Sequence, residues 1–311
     1  MDLVSVIMST YNEDVEIVTQ SIDSILNQTY TNFEFIIVLD NPENISLRDL
    51  LISYKLKDSR IQILLNEENI GLVGSLNYAL SHCKGKYIAR MDADDISLKE
   101  RFETQKKYLE ENSLDFVFSN VVYIDEDGHQ LYESRKNELD YIQVKNALEI
   151  LNISNHPTWL LKKEIYSTLS GYRDINYCED YDFSLRALNF GFKIGKINKS
   201  TLLYRIRKNS ISRSNALNQY LNMRGLSKLY RQGKIENNND VEKMKLESKK
   251  IATNSENTKF NMASYRFNQG LEMNKKGFKI RGVMNLIKSA LLSKYYILKF
   301  YDLYRYKTRK I

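Results

Sequence analysis

Short apolar runs alternate with stretches of helical periodicity through the first hundred residues, and few folds tolerate that pattern. Leu3-Val4-Ser5-Val6-Ile7-Met8 suits a buried strand. After the turn Thr10-Tyr11-Asn12-Glu13, residues Val15, Val18, Ile22, Ile25 and Leu26 recur at helical spacing. Phe33 to Leu39 reads as a second strand, stopped at Asp40-Asn41-Pro42, and Ile61 to Leu65 as a third. Leu76, Leu80 and Cys83 mark a helix before a fourth strand, Tyr87 to Met91. Strand, helix, strand at these spacings predicts an α/β Rossmann-like, mainly parallel sheet with helices on both faces.

Sheets of this kind bind ligands beyond the carboxyl ends of their strands. Thr10 to Glu13 follow strand one, Asp40 follows strand two, and Asp92, Asp94 and Asp95 follow strand four. Three polar clusters therefore emerge on one edge. Carboxylates crowded at a strand end repel one another unless a cation compensates, and an all-oxygen set suits Mg2+ or Mn2+ with phosphate oxygens completing the shell. Ser97-Leu98-Lys99-Glu100 fits a capping box that would pin this cluster to a helix start.

Further along, Phe116 to Ile124 predicts a long strand returning through Asp125-Glu126-Asp127-Gly128. Glu179 to Leu188 reads as a helix, and Lys193 to Ile197 and Leu202 to Ile206 as two further strands. Beyond Ser214 the chain is polar and helical in character. The expected organisation is a catalytic domain over 1–215, divided near residue 100, and a basic helical region over 216–311.

Five segments in order carry a resemblance: Val4-Ser5-Val6-Ile7-Met8-Ser9-Thr10-Tyr11-Asn12, Asn69-Ile70-Gly71-Leu72, Ala89-Arg90-Met91-Asp92-Ala93-Asp94-Asp95, Glu179-Asp180-Tyr181-Asp182 and Tyr204-Arg205-Ile206. Together, over about residues 3–213, they resemble family-2 glycosyltransferases of the GT-A fold, inverting enzymes that include many of bacterial surface-polysaccharide synthesis. The resemblance implies that Thr10, Tyr11, Asn12, Glu13 and Asp40 hold the base and ribose of a nucleotide sugar, UDP-linked by preference. It places Asp92 at the ribose-diphosphate, Asp94 on the divalent metal with Asp92 beside it, and Asp180 as general base flanking the same sugar as the metal. Asn69, Gly71, Arg90, Asp95 and Glu179 complete the expected substrate-binding set.

Alternatives stand beside several of these. Asp40 also suits a turn cap before Pro42, and Asn69-Ile70-Gly71 a plain turn. Glu179 and Asp180 also suit the positive end of a helix dipole. His156-Pro157-Thr158-Trp159 resembles a segment lining the acceptor side in the family; packing is an equal reading for His156 and Trp159. The chain departs from the family pattern twice: Leu39 precedes Asp40 where a second aspartate is common, and Arg207 stands where many relatives carry a metal-ligating histidine. Arginine does not ligate a cation but grips a diphosphate through its planar fork. Arg207 or Arg205 is therefore expected on phosphate, with weak metal affinity in the absence of nucleotide.

Composition narrows the setting. In 311 residues, 42% apolar and 27% charged, there is neither an apolar leader nor a run long enough to span a bilayer. Two cysteines, Cys83 and Cys178, make no disulfide framework and fit a reducing compartment. Gly71-Leu72-Val73-Gly74-Ser75 lacks the lysine of a phosphate-binding loop, which argues against a kinase or ATPase. Residues 271–311 hold 11 Lys and Arg against 2 acids, whereas the remainder holds 35 against 37. Within that basic region Val283, Leu286, Ala290, Ile297, Tyr301 and Tyr304 repeat at three- and four-residue steps. Two readings are open: a helix packed on the catalytic domain, or an interfacial segment on an anionic membrane. Nucleic acid is not expected, because no recognition module accompanies the charge.

The expected function is sugar transfer to a hydroxyl of a lipid-linked or oligosaccharide acceptor, on the cytoplasmic side and peripheral to the membrane. Capsule, lipopolysaccharide or exopolysaccharide would be the product. A polyprenyl-phosphate glycosyltransferase and a catalytically silent nucleotide-sugar-binding scaffold are the rival readings.

Overall fold

Strand β1 (Val4–Thr10) is buried along nearly its whole length, as a central strand covered on both sides must be. In this computed structural model, which describes residues 1–134, 137–207 and 215–309, it pairs in parallel with β2 (Phe33–Leu39) and β4 (Tyr87–Asp92). β3 (Ile61–Leu65) adds in parallel to β2. With β5 at Ile96–Ser97, β6 at Phe116–Ile124, β8 at Leu160–Lys162 and β9 at Ile194–Arg205, the sheet has the order β3-β2-β1-β4-β8-β6-β9-β5, and β7 (Gln130–Glu133) pairs with β6. β8 (Leu160–Lys162) runs antiparallel between β4 and β6, so the sheet is mixed.

Helix α1 (Val15–Leu26) starts where Asp14 accepts the backbone N–H of Glu16, and buries Val18, Ile22 and Ile25. With α2 (Ile45–Lys57) and α4 (Arg101–Glu111) it covers the sheet face bearing Val4, Val6, Phe35, Ile37, Ala89 and Met91. The alternate residues Ile7, Ile36, Val38 and Ile88 are equally buried on the other face, where α3 (Gly71–His82) packs on β1 and β2.

Two local expectations need correction. Ser97 is not a helix cap. It lies in the short strand β5 (Ile96–Ser97), paired with Leu202, and its hydroxyl accepts from Gln28. Glu100 immediately precedes α4 but makes no side-chain cap bond; its carboxylate binds Lys199 instead. The Ser97 N–H, which a capping box would bond to Glu100, donates to the Ser24 hydroxyl at 2.9 Å, and the Leu98 N–H donates to the Thr201 carbonyl of β9 at 2.9 Å. β9 itself is one strand rather than two. Its register against β6 shifts around Ser119 and Asn120, leaving Asn198 and Lys199 exposed, and that polar interruption reads in the sequence as a break.

The chain divides into two compact units. The first comprises Met1–Lys145, Ile153–Asp174 and Arg186–Arg207; the second comprises Asn146–Asn152, Ile175–Leu185 and Lys208–Ile311. This differs from the expected boundary at 215, since two internal segments group with the helical region. α5 (Tyr141–Leu148), α6 (Lys163–Leu169) and α7 (Glu179–Asn189) precede β9. The helical region holds α8 (Ala216–Arg231), α9 (Asn238–Ile251), α10 (Asn254–Lys275), α11 (Lys279–Leu292) and α12 (Lys294–Thr308), around a core of Leu217, Tyr220, Phe260, Ala263 and Tyr296. Among the described residues no helix is long and apolar enough to cross a membrane.

Candidate active site

β1 lies between β2 and β4, so successive crossovers leave it in opposite directions and open a crevice at its carboxyl end. The register Ser9↔Asp92 brings the turn after β1 level with the acidic turn after β4. Glu13 closes the first turn: its carboxylate accepts from the Thr10 hydroxyl at 2.6 Å and from the Tyr11 N–H at 2.7 Å. Tyr11 and Asn12 remain exposed, and Asn12 Oδ1 accepts from Asn41 Nδ2 at 2.6 Å.

Asp40 is 3% exposed. One of its oxygens accepts from Asn66 Nδ2 at 2.7 Å and from the Ile70 N–H at 2.9 Å, tying the end of β2 to the loop before α3. Asn69 Oδ1 accepts from the Gly71 N–H at 3.0 Å, and Gly71 starts α3 at φ +76°. A Cβ at Gly71 would meet nothing within 4 Å, so the backbone angle, not space, calls for glycine there. The turn-forming readings of Asp40 and Asn69 are thus realised in the geometry.

Asp92, Asp94 and Asp95 place carboxylate oxygens within 4.8 Å of one another. Asp92 pairs with the buried Arg90 at 2.5 Å, and Arg207 Nε stands 3.0 Å from Asp94 Oδ2. Burial, then the charge of Asp92, raises the Asp94 carboxyl to about 6, against the attraction of Arg207. Burial, followed by Asp94 and Asp92, drives Asp95 well above the carboxylate range. Asp95 Oδ1 accepts from the Arg205 N–H at 2.9 Å, while its other oxygen is buried without a hydrogen-bond partner. Three acids in mutual repulsion, one buried oxygen unsatisfied and only oxygen donors: this set fits a hard divalent cation.

Four arginines gather here, with different roles. Arg207 or Arg205 was expected on phosphate; the side chain of Arg205 binds within the protein, to the Asp94 carbonyl at 2.9 Å, the Glu126 carbonyl at 2.8 Å and Gln20 Oε1 at 2.8 Å. It holds the acidic turn in place. Arg90 is 1% exposed, with Nε and Nη1 lacking partners. Arg101, which sequence reasoning missed, is fully buried and donates to the Arg90 carbonyl at 2.7 Å. Burial lowers its pKa to about 9 against the pull of Asp95. No pattern distinguishes it in the sequence from an ordinary solvated helix arginine. Only Arg207 keeps substantial exposure, at 30% of its side chain, with Nε and Nη2 unpaired by hydrogen bonds despite the close ion pair. Arg207→Ala is therefore expected to raise the donor KM or lower kcat about tenfold, the scale of a lost charged hydrogen bond. Steady-state kinetics with the donor varied check this, and unchanged constants refute it.

His156 belongs to packing. Its Nε2 lies 2.8 Å from the Tyr172 hydroxyl, its ring meets Trp159 edge-on at 4.5 Å, and burial depresses its pKa well below the usual value. Of the two readings open for His156 and Trp159, packing is the one the geometry displays, in an aromatic cluster in which Trp159 is wholly buried.

Asp180 lies in the second unit. Tyr177 at φ +63° turns the chain into α7, whose first turn carries Glu179, Asp180 and Asp182. Asp180 Oδ1 accepts from the Tyr181 N–H at 2.7 Å and Oδ2 from Asn152 Nδ2 at 2.8 Å. Tyr181, fully buried, donates to the Leu148 carbonyl and anchors the turn. Asn152 pairs with Asp180 over 28 positions, a contact with no local signature in the sequence.

The model of glycosyl transferase family 2 matches residues 5–170, just over half of the chain. The chain belongs to glycosyl transferase family 2. Among its relatives, the uncharacterized glycosyltransferase MJ1057 of Methanocaldococcus jannaschii is 41% identical over 214 residues, 68% of this chain and 74% of the relative. The Escherichia coli O-antigen biosynthesis glycosyltransferase WbnJ is 36% identical over 69% of this chain and 84% of its own. WfgD of Escherichia coli, a UDP-Glc:alpha-D-GlcNAc-diphosphoundecaprenol beta-1,3-glucosyltransferase, is 30% identical over 68% of this chain and 79% of its own. The crystal structure of S. aureus TarS 1–349 with UDP-GlcNAc superposes with a TM-score of 0.60 at 16% identity, covering 93% of this chain and 90% of that one, and shares the fold. This family-2 glycosyltransferase thus has the architecture its sequence predicted, with the acidic turn at the switch point of the sheet.

Proposed function

We propose that this chain is an inverting, metal-dependent glycosyltransferase that moves a sugar from a UDP-sugar to a hydroxyl of a lipid-linked or oligosaccharide acceptor in bacterial surface-glycan synthesis. The observation that carries this reading is the acidic turn Asp92–Asp95, level with the Thr10–Glu13 turn in a chain of this family. The relatives' own names support the donor and acceptor classes: WfgD uses UDP-glucose and a diphosphoundecaprenol-linked sugar, and WbnJ serves O-antigen biosynthesis. TarS has been solved with UDP-GlcNAc.

In this reading Tyr11, Asn12 and the backbone around Asp40 hold the base and ribose. Asp94, with Asp92, would hold Mn2+ or Mg2+, which supplies Lewis-acid stabilisation of the charge on a departing diphosphate. Arg207 would approach the same phosphates as Asp94's attraction for it is relieved. Asp180 would accept the proton of the acceptor hydroxyl, whose pKa is too high for attack without a base. Peripheral placement on the cytoplasmic side of the membrane belongs to the same reading, because a lipid-linked acceptor stays there.

A donor panel tests it. UDP-, GDP- and dTDP-sugars are incubated with the protein in Mn2+, Mg2+ or EDTA, and released nucleotide is measured. Turnover is expected with a UDP-sugar and is expected to vanish in EDTA. Undiminished turnover in EDTA refutes the metal requirement, and preference for a GDP- or dTDP-sugar refutes the donor assignment.

A further inference from the structure

We propose that the outward faces of α11 and α12 form a docking surface for an anionic lipid bilayer, on which both helices lie in the interfacial plane. The proposal rests on the membrane placement just given, and names the surface responsible. What carries it is an inversion. A helix on a water-soluble protein turns its apolar stripe inward, and α11 does the reverse. Its fully buried residues are small, Gly282 and Ser289, with Leu286 half-buried against Gly270; the Ser289 hydroxyl donates to the Ala263 carbonyl of α10 at 2.7 Å. Gly282 and Gly270 bring the two backbones so close that a Cβ on either would stand 2.9 or 2.8 Å from the other's carbonyl oxygen.

Opposite that face, Ile280, Val283, Met284, Ile287 and Leu291 line one side of α11 and are 49 to 82% exposed. α12 is apolar on both sides. Inward it buries Tyr296, edge-on to Phe260 in the core, and Asp302, which accepts from the Tyr220 hydroxyl at 2.8 Å and pairs with Arg224. Outward, Ile297, Phe300, Tyr301 and Tyr304 are all at least half exposed, again at steps of three and four residues. Single exposed apolar residues are ordinary, whereas exposed apolar stripes on two consecutive helices mark an interaction surface.

Charge selects the occupant. Lys279, Arg281 and Lys288 flank the stripe of α11, and Lys294 and Lys307 that of α12; all five are exposed. From 279 to 311 the sole acid is Asp302, which is buried. A second copy of this chain would bring two cationic rims together. An anionic membrane takes the apolar side chains at headgroup depth and the lysines at its phosphates, with the tyrosines suited to that boundary.

The test uses the full chain and vesicles of phosphatidylcholine with or without one quarter phosphatidylglycerol. Cosedimentation is expected with the anionic vesicles, weakened by raising the salt from about 0.1 to 0.5 M. The triple variant Ile287→Glu/Leu291→Glu/Phe300→Glu should bind at least tenfold more weakly, with unchanged circular dichroism. Lys249→Glu/Lys250→Glu, an exposed charge change on α9, should keep most of the binding. Equal binding by the triple variant overturns the proposal, as does absence of binding by the parent. Sedimentation velocity showing a dimer that only the triple variant dissolves, without vesicle binding, assigns the face to a second copy and also overturns it. None of these readouts needs turnover, so they stand apart from the glycosyltransferase test.

Discussion

Asp94→Asn is expected to lower kcat by roughly 100- to 10,000-fold, the scale of losing several kcal/mol of stabilisation on a departing diphosphate. The substitution keeps shape and hydrogen-bonding capacity but removes the charge. Its effect on stability should run the other way. Asp94 has a folded pKa raised to about 6 by burial and by Asp92, so the charged form is disfavoured in the native protein. A raised acid binds more protons folded than unfolded, and its cost to stability therefore appears above the unfolded value near 4 and grows as pH rises toward 6. At pH 7 the asparagine removes that cost, on the order of 1–3 kcal/mol before solvent screening, because the side chain keeps 28% exposure. The variant without added metal should melt at the same temperature as the parent or a few degrees above it. Kinetics and thermal melts on one preparation check both halves. A dead enzyme that melts much earlier would make Asp94 a structural residue; a fully active one would remove it from the chemistry.

The fold was legible where local pattern and tertiary need agree. β1, β2 and β6 lie where their apolar runs place them, because strands covered on both faces must be continuously apolar. Ser97-Leu98-Lys99-Glu100 misled because a capping box and a short strand share the same letters, and the partner that decides, Leu202, lies more than a hundred positions away. The acidic cluster was legible as a group, but its internal division was not. Arg205 and Arg207 stand two residues apart, yet one is wrapped in backbone carbonyls and the other faces Asp94. That difference depends on Gln20 and Glu126, contributed by α1 and the β6–β7 turn. Part of the stripe in the last helices was visible too, Val283, Ile297, Tyr301 and Tyr304, whereas Leu286 and Ala290 are half-buried; periodicity reports only that a face is apolar. Gly270 and Gly282 reveal which way it points, by fixing the opposite face against α10.

Asp180→Asn should lower kcat by about 100- to 10,000-fold with the donor KM little changed, as expected for a group that acts on the acceptor's proton. Asn152 and the Tyr181 N–H each donate to one of its carboxylate oxygens and orient the group. An amide at this position would keep the shape and one of the two accepted bonds and lose the basicity, so a fall in kcat with unchanged thermal melting separates proton transfer from architecture. The rival reading, in which the acceptor is a polyprenyl phosphate, gives the opposite result. A phosphate nucleophile is already ionised at neutral pH and needs no base, so the Asp180→Asn enzyme would retain most of its rate on that acceptor. Assaying the variant on a hydroxyl acceptor and on a polyprenyl phosphate therefore decides between two chemistries with a single substitution. Full activity on a hydroxyl acceptor would exclude Asp180 as the base.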